Sequence, residues 1–384
     1  MSESSVRERY AAGAQQQEAA LCCPVDYDQK YLEIIPAEVI ERDYGCGDPS
    51  KYVHEGETVL DLGSGTGKIC FIASQVVGSS GKVIGVDMTD AMLDVARTNA
   101  PIVGERAGFE NVEFRKGRIQ DLALDLEQLE SWLKQQPVQD ANGFLALEEK
   151  AQELRDAESL IKSDSIDVVV SNCVLNLVGN DARKQMFEEL HRVLKVGGRA
   201  VISDIVCDED VPEGMQKDEE LWSGCISGAF REDEFLQAFE DAGFHGVEIL
   251  KLDKDPWQTV QGIEFRSMTV CAYKGSDGPC IEKNQAVIYK GPFKAIVDDD
   301  GHTMERGKRY AVCQKTFELF NRAPYREMFE FVEPHEAVAS DAKLFDCTTI
   351  RIRDPRETKG QDYVETIQLG SDCCSPDDSN GSCC

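Results

Sequence analysis

Residues 58–67 read Thr-Val-Leu-Asp-Leu-Gly-Ser-Gly-Thr-Gly, and this stretch decides the fold. Val59, Leu60 and Leu62 form a short apolar run suited to a buried strand. Gly63, Gly65 and Gly67 follow at alternate positions, and a helix-like run opens at Lys68. A strand that stops at a glycine turn and enters a helix aims backbone N–H groups at a nucleotide-type ligand. Glycine suits the turn because a Cβ would block close approach of ligand to backbone.

Outward from that stretch the rhythm of strand and helix repeats. A helix is predicted from about residue 67 to 77, strands at 82–87 and 112–116, and a helix at 91–98 between them. Residues 124–163 are rich in Leu, Glu, Gln, Lys and Ala and predict two surface helices inserted into the sheet domain. A strand at 165–171, a helix at 183–194 ending on Gly197 and Gly198, and a strand at 199–205 resume the alternation. Strands alternating with helices imply a parallel sheet covered on both faces. Upstream, residues 1–20 predict a polar helix and 31–42 a helix with Pro36 in its first turn. Downstream, 209–232 read as a polar, mobile segment, 232–242 as a helix, and 246–252 and 266–273 as antiparallel edge strands. The Gly- and Pro-containing stretch 275–279 marks a boundary before a small α+β module. The final Ser, Asp, Gly and Cys residues are expected to be disordered.

The chain has 384 residues, long enough for more than one domain. Its 71 acidic against 41 basic residues give a net charge of -30, which repels phosphate backbones and anionic membrane surfaces. Neither nucleic acid nor a membrane is therefore expected as a partner. No apolar run reaches the roughly 20 residues of a bilayer span, and the polar start predicts no secretory signal. A cytoplasmic location is the resulting expectation. Fifteen cysteines is an odd and high count. It favours thiol chemistry or soft-metal binding over a disulfide framework.

Three features support a cofactor at the glycine turn. Asp61 precedes the glycines, Asp87 closes the second strand about where a ribose-hydroxyl partner belongs, and Ser171-Asn172 lies at the switch point of the sheet. The spacing Asp-x-Gly-x-Gly-x-Gly resembles S-adenosylmethionine-dependent methyltransferases rather than nicotinamide enzymes. On that reading Gly63, Ser64 and Gly65 face the methionine part, Asp87 the ribose, Met88 and Ile119 the adenine, and Asn172 the sulfonium region. A structural glycine turn is the plainer alternative, and core packing is as good an account of Met88 and Ile119.

Three cysteines belong to the rim above the strand ends: Cys46 in a glycine-flanked turn, Cys173 directly after the fourth strand, and Cys225 after the fifth. Neither a Cys-x-x-Cys pair nor a histidine spacing accompanies them, so tetrahedral zinc fits poorly. Soft thiolates select soft acceptors. Cys70, on the first helix, reads as a packed thiol. Cys207, Cys271, Cys280, Cys313 and Cys347 carry no motif, and burial is the default for them. The five histidines lie outside every motif.

Tyr44-Gly-Cys-Gly47, the Asp61–Gly67 turn, Gly85-Val-Asp-Met-Thr89, Ser171-Asn-Cys-Val-Leu-Asn-Leu177 and the Leu221–Ala229 stretch Leu-Trp-Ser-Gly-Cys-Ile-Ser-Gly-Ala together resemble the arsenite S-adenosylmethionine methyltransferases. The resemblance covers residues 40–275 well and the remainder loosely. It implies a doubly wound Rossmann-like class I methyltransferase sheet with an arsenic-binding region and a small C-terminal α+β module. The implied divisions are an N-terminal helical segment at 1–55, a cofactor-binding core at 56–208 with its insertion at 124–163, an arsenic-binding region at 209–275, a module at 276–370 and a tail at 371–384. It further implies trivalent arsenic held by Cys46, Cys173 and Cys225, with Tyr44 lining the cofactor. A fourth cysteine, Cys22 or Cys23, would form a disulfide in turnover, and thioredoxin or glutathione would act as external reductant. Arsenite and methylated arsenicals are the implied substrates, and a monomer is expected. Two other readings stay open: a small-metabolite methyltransferase with the same cofactor site, and a metalloid-sequestering protein, which explains the paired cysteines of the tail but not the cofactor motif.

Overall fold

The computed structural model describes residues 3–15, 25–42, 44–338 and 342–364. Cys22, Cys23 and the tail at 371–384 lie outside the described residues. The chain divides into two compact units, Met1–Ser276 and Asp277–Cys384.

One sheet organises the first unit. Strands β1 (Thr58–Leu62), β2 (Lys82–Asp87), β3 (Val112–Lys116), β4 (Ile166–Asn172) and β5 (Leu194–Cys207) run parallel in the order β3-β2-β1-β4-β5. The short β6 (Phe230–Arg231) adds to β5, and β7 (Phe244–Leu252), β8 (Gln258–Val260) and β9 (Ile263–Lys274) complete the far side. There β9 pairs antiparallel with both β5 and β7. The strand expected at 266–273 is thus internal rather than an edge. Its Met268, Val270 and Ala272 are buried on one face and Cys271 on the other, as a strand with neighbours on both sides requires.

Successive side chains of β1 alternate between the faces. Val59 packs with Ile69, Phe71 and Ile72 of helix α4 (Lys68–Val77) and with Leu93 and Ala96 of α5 (Asp90–Ala107). Leu60 and Leu62 belong to the buried cluster on the other face, which also holds Phe187 and Leu190 of α8 (Asn180–Val193) and Phe235 and Phe239 of α11 (Glu232–Asp241). Truncating either leucine to alanine in such a core costs about 2–5 kcal/mol.

Several elements depart from expectation. α5 continues nine residues past 98, through Pro101, because Val103 is buried and Gly108, at φ +83°, caps the C-terminus. The stretch at 31–42 is two short helices, α2 (Gln29–Leu32) and α3 (Ala37–Glu41), since Pro36 holds an extended ψ of 141° and starts α3 rather than joining it to α2. β5 begins at Leu194, and Gly197 (φ +81°) bends the strand instead of ending α8 at a loop. The polar segment at 209–232 contains helices α9 (Glu213–Gln216) and α10 (Glu219–Ser223), the latter capped by the Asp218 carboxylate. The insertion forms α6 (Leu126–Gln135) and α7 (Ala141–Ala157). Ahead of them all lies α1 (Glu3–Gly13).

In the second unit β10 (Ala286–Tyr289) lies between antiparallel β13 (Arg309–Ala311) and β14 (Phe329–Val332), with a hairpin of β11 (Ala295–Val297) and β12 (Thr303–Glu305). Helices α12 (Gln314–Phe320) and α13 (Pro355–Lys359) complete it. Val287, Tyr289, Phe317, Phe320 and Phe329 form its core. The run at 343–352 makes single bridges only, at Leu344 and Ile352.

Candidate active site

β1 and β4 are neighbours, but the chain leaves them towards opposite sides of the sheet, so a crevice opens at their C-terminal ends. A cavity of about 320 Å³ occupies it. Tyr44, Asp61, Gly63, Ser64, Gly65, Asp87, Met88, Ile119 and Asn172 all line this cavity, and so does Cys173. Their sequence positions span residues 44–173, and the topology brings them together.

The glycine turn is shaped by hydrogen bonds. Gly63 N–H and Ser64 N–H both donate to the Val86 carbonyl, at 2.8 and 3.0 Å. Gly63 sits at φ +66°, and a Cβ there would meet Val174 at 2.5 Å, so no other residue fits. Asp87 accepts from Gly65 N–H at 2.9 Å and from Thr89 N–H at 2.8 Å. Burial raises its carboxyl above the ordinary value, and those two bonds partly offset the rise. Ser64 Oγ is buried without a hydrogen-bond partner. A hydroxyl left so in a cavity wall costs about 1–3 kcal/mol unless a ligand satisfies it. An adenosyl-amino-acid ligand, polar at both ends, fits this wall.

The three rim cysteines share one buried cluster with Ile205, Ile226 and Phe265. Cys46 is placed by Asn172, whose Oδ1 accepts from the Cys46 and Gly47 N–H groups at 2.9 and 3.0 Å. Asn172 Nδ2 in turn donates to the Gly47 carbonyl at 2.8 Å and to Tyr27 Oη at 3.2 Å. Asn172, expected only beneath a sulfonium, clamps the Cys46 loop. The glycines flanking Cys46 are explained by close approach: a Cβ on Gly45 would meet Asn172 Nδ2 at 2.1 Å, and one on Gly47 would meet Ser203 Oγ at 2.5 Å.

Cys173 and Cys225 both hold left-handed backbone, at φ +64° and +61°. Such angles are rare for a residue with a Cβ. The Cys225 thiol donates to the Cys173 carbonyl at 3.3 Å, tying the two loops. Gly228 packs where a Cβ would meet the Asn176 carbonyl at 2.2 Å. Arg183 bonds the Gly228 carbonyl and lies over the Phe230 ring at 4.2 Å. Near the Cys46 and Cys173 sulfurs, all ligand atoms within 4.8 Å of one another, lies the Asp204 carboxylate. It accepts from Leu175 N–H (2.9 Å), Asn176 Nδ2 (2.8 Å) and Ile205 N–H (2.8 Å) and fixes the turn after Cys173. Burial pushes its carboxyl up to about 6.

Residues outside the expected set also build the site. Tyr10 of α1 lines the cavity, and its hydroxyl lies 3.8 Å from Cys225 Sγ. Arg9 Nη1 docks the same helix by donating to the Glu220 carbonyl and Ser223 Oγ, both at 2.8 Å. A tyrosine on a polar helix carries no local signal of such a role, and neither does Asp204 inside an apolar strand. Cys70 is a packed thiol, buried and donating to Asp61 Oδ2 at 3.2 Å.

A family profile described as a methyltransferase domain matches residues 53–141 and 135–243, and one described as a domain of unknown function matches 276–363. An arsenite methyltransferase of Aquipseudomonas alcaligenes is 32% identical over 313 residues, 78% of this chain and 80% of that one. The human arsenite methyltransferase is 28% identical over 366 residues, 92% of this chain and 86% of that one. A solved arsenic(III) S-adenosylmethionine methyltransferase from Chlamydomonas reinhardtii superposes with a TM-score of 0.54 at 25% identity, over 84% of this chain and all of that one.

Proposed function

Because the chain belongs to the arsenite methyltransferases, S-adenosylmethionine-dependent enzymes with a class I fold, we propose that it methylates trivalent arsenic held by Cys46, Cys173 and Cys225. The observation that supports the assignment is that the three thiols share one buried apolar cluster: the Cys46 and Cys173 sulfurs lie within 4.8 Å of each other, Cys225 falls outside that group but its thiol is bonded to the Cys173 carbonyl, and Cys173 also lines the cavity. Arsenite exchanges its hydroxyls for the thiols with release of water, and the arsenic keeps its lone pair. S-adenosylmethionine, when bound, supplies an electrophilic methyl group for that pair.

The protein's own part is placement and dryness. Ser64 Oγ and the Gly63–Gly65 backbone hold the methionine end. Asp87 accepts from the ribose hydroxyls, Met88 and Ile119 flank the adenine, and Tyr44, Asp61 and Asn172 complete the wall. Asn172 and Asp204 fix the Cys46 and Cys173 loops, and Tyr10 covers Cys225. Holding two reactants in a water-excluded site replaces a bimolecular encounter with an oriented one. Methyl transfer raises the formal oxidation state of arsenic by two. Two thiolates return those electrons by closing a disulfide that engages Cys22 or Cys23, and thioredoxin or glutathione reopens it. Repeated rounds give mono- and dimethylated products, and the chain acts as a monomer.

The test is arsenic speciation after incubation with arsenite, S-adenosylmethionine and a thiol reductant. Cys173→Ser and Cys225→Ser should each abolish methylation and arsenite binding at the Cys46–Cys173–Cys225 site. Cys46→Ser should lose arsenite turnover but keep methylarsenite turnover, since a methylated arsenical needs only two thiolates. Near-normal rates in the first two variants would overturn the ligand set; equal loss of both substrates in the third would overturn the division between the thiols.

A further inference from the structure

We propose that the second unit binds its own trivalent arsenic, on Cys280, Cys313 and Cys347, as a site separate from methylation. Their three sulfurs lie within 4.8 Å of one another. A thiolate site with metal–sulfur bonds of about 2.3 Å needs sulfurs roughly 3.5–4 Å apart, so small side-chain rotations complete the geometry. Burial, the default for cysteines without a motif, holds for Cys207, Cys271 and Cys313, but Cys280 and Cys347 are half-buried and give a ligand access.

The three come from distant positions, and the backbone knits those positions together. Phe345 N–H donates to the Cys280 carbonyl at 2.8 Å, Glu282 N–H to the Lys343 carbonyl at 2.9 Å, and Gln314 N–H to the Ile281 carbonyl at 2.9 Å. Each ligand loop is thereby bonded to another. His302 adds a brace, with Nε2 bonded to the Cys347 carbonyl at 2.8 Å and Nδ1 to Asp298 at 3.0 Å. Thr316 N–H donates to Cys313 Sγ at 3.4 Å.

Ligand number argues against structural zinc. Zinc takes four ligands in closed structural sites. The cluster has three members among the described residues. Both nitrogens of His302 are engaged, and Asp346 Oδ1 accepts from Thr348 N–H at 3.0 Å and Thr348 Oγ1 at 2.6 Å. Trivalent arsenic needs only three thiols and keeps its lone pair. In binding, three As–OH and three S–H bonds break, three As–S bonds form and three waters leave, with no change of oxidation state. The choice of arsenic over another thiophile rests on the proposed function; the three-thiol cluster does not.

The experiment is thiol footprinting of the reduced full-length chain. Arsenite should slow iodoacetamide labelling of Cys280 and Cys347 by about tenfold or more at saturation, with a common midpoint. The same protection should persist in Cys46→Ser/Cys173→Ser/Cys225→Ser, which separates this site from the methylation site. Cys280→Ser/Cys313→Ser/Cys347→Ser should bind one arsenic fewer per chain by elemental analysis and still methylate. Labelling unchanged by arsenite would overturn the proposal, as would stoichiometric zinc lost with these thiols. Should the triple variant misfold, the footprint of the unsubstituted chain decides alone.

Discussion

Cys173 and Cys225 keep backbone angles in which a Cβ is strained by about 1–2 kcal/mol each. Strain held at two thiols of one cluster is what a site that must aim its ligands shows. Glycine relieves this strain and alanine keeps it. Cys173→Gly should therefore be more stable to urea than Cys173→Ala by about 1 kcal/mol, against the usual order of the two residues; an alanine variant equal to or above the glycine variant would remove the strain argument. Asp204 gives a second, pH-dependent check. Its carboxyl is raised to about 6 from an ordinary 3.8 by burial. Between those values the folded state holds the proton more tightly than the unfolded state. Stability from this group is thus greatest below about pH 4 and falls as pH rises through about 6, by on the order of 3 kcal/mol. Asp204→Asn cannot ionise, so urea midpoints at pH 4.5 and 7 should differ less in that variant than in the natural chain. Parallel pH profiles would refute the assignment. The glycine turn and the three rim cysteines were legible because each sits in a local motif. Asp204 and Tyr10 were not, because their roles arise only when loops distant in sequence meet.

Helices α6 and α7 interrupt the sheet rhythm, and their composition alone suggests only a solvated pair. In the fold they gain a structural role. Leu124, Ala151 and Leu154 form a small core between the insertion and the loop after β3. Arg155 makes a two-point bond to Asp121, at 3.1 and 2.9 Å to Oδ2. Asp121 directly follows Gly117–Gln120, which line the cavity. Arg155 thus braces this part of the cavity wall from outside. The pair is partly exposed, so its worth is toward the upper end of the range for surface pairs, about 1 kcal/mol. Arg155→Ala should raise the S-adenosylmethionine KM about fivefold with kcat unchanged; an equal fall in kcat, or an unchanged KM, would deny the insertion this role. The sequence signalled the helices through their composition, but the brace joins positions 34 residues apart, and nothing local announces it. β9 is a similar case: its apolar run was legible, while its place between β5 and β7 depends on pairing that only the assembled sheet specifies.

At the scale of the whole chain, both units carry their own core. The clusters that sandwich the sheet, the thiol cluster and every residue lining the cofactor cavity fall before residue 277. The second unit packs Val287, Tyr289, Phe317, Phe320 and Phe329 around its own three-stranded sheet, and Arg353, 1% exposed, is paired there with Glu282 and Glu357. A buried arginine with both partners inside the same unit is satisfied locally, so that unit does not depend on outside charge. The boundary was legible as a Gly- and Pro-containing stretch, because a linker must leave the sheet through residues that break strands. The thiol cluster beyond it was not legible, since its cysteines share no spacing. A chain ending at Ser276 should accordingly unfold in one cooperative transition and bind S-adenosylmethionine within about twofold of the full chain, read by calorimetry, because every cavity contact survives. Loss of cofactor binding in that truncated chain would mean that the second unit is part of the methyl-donor site, and the separation of the two arsenic sites would fail with it.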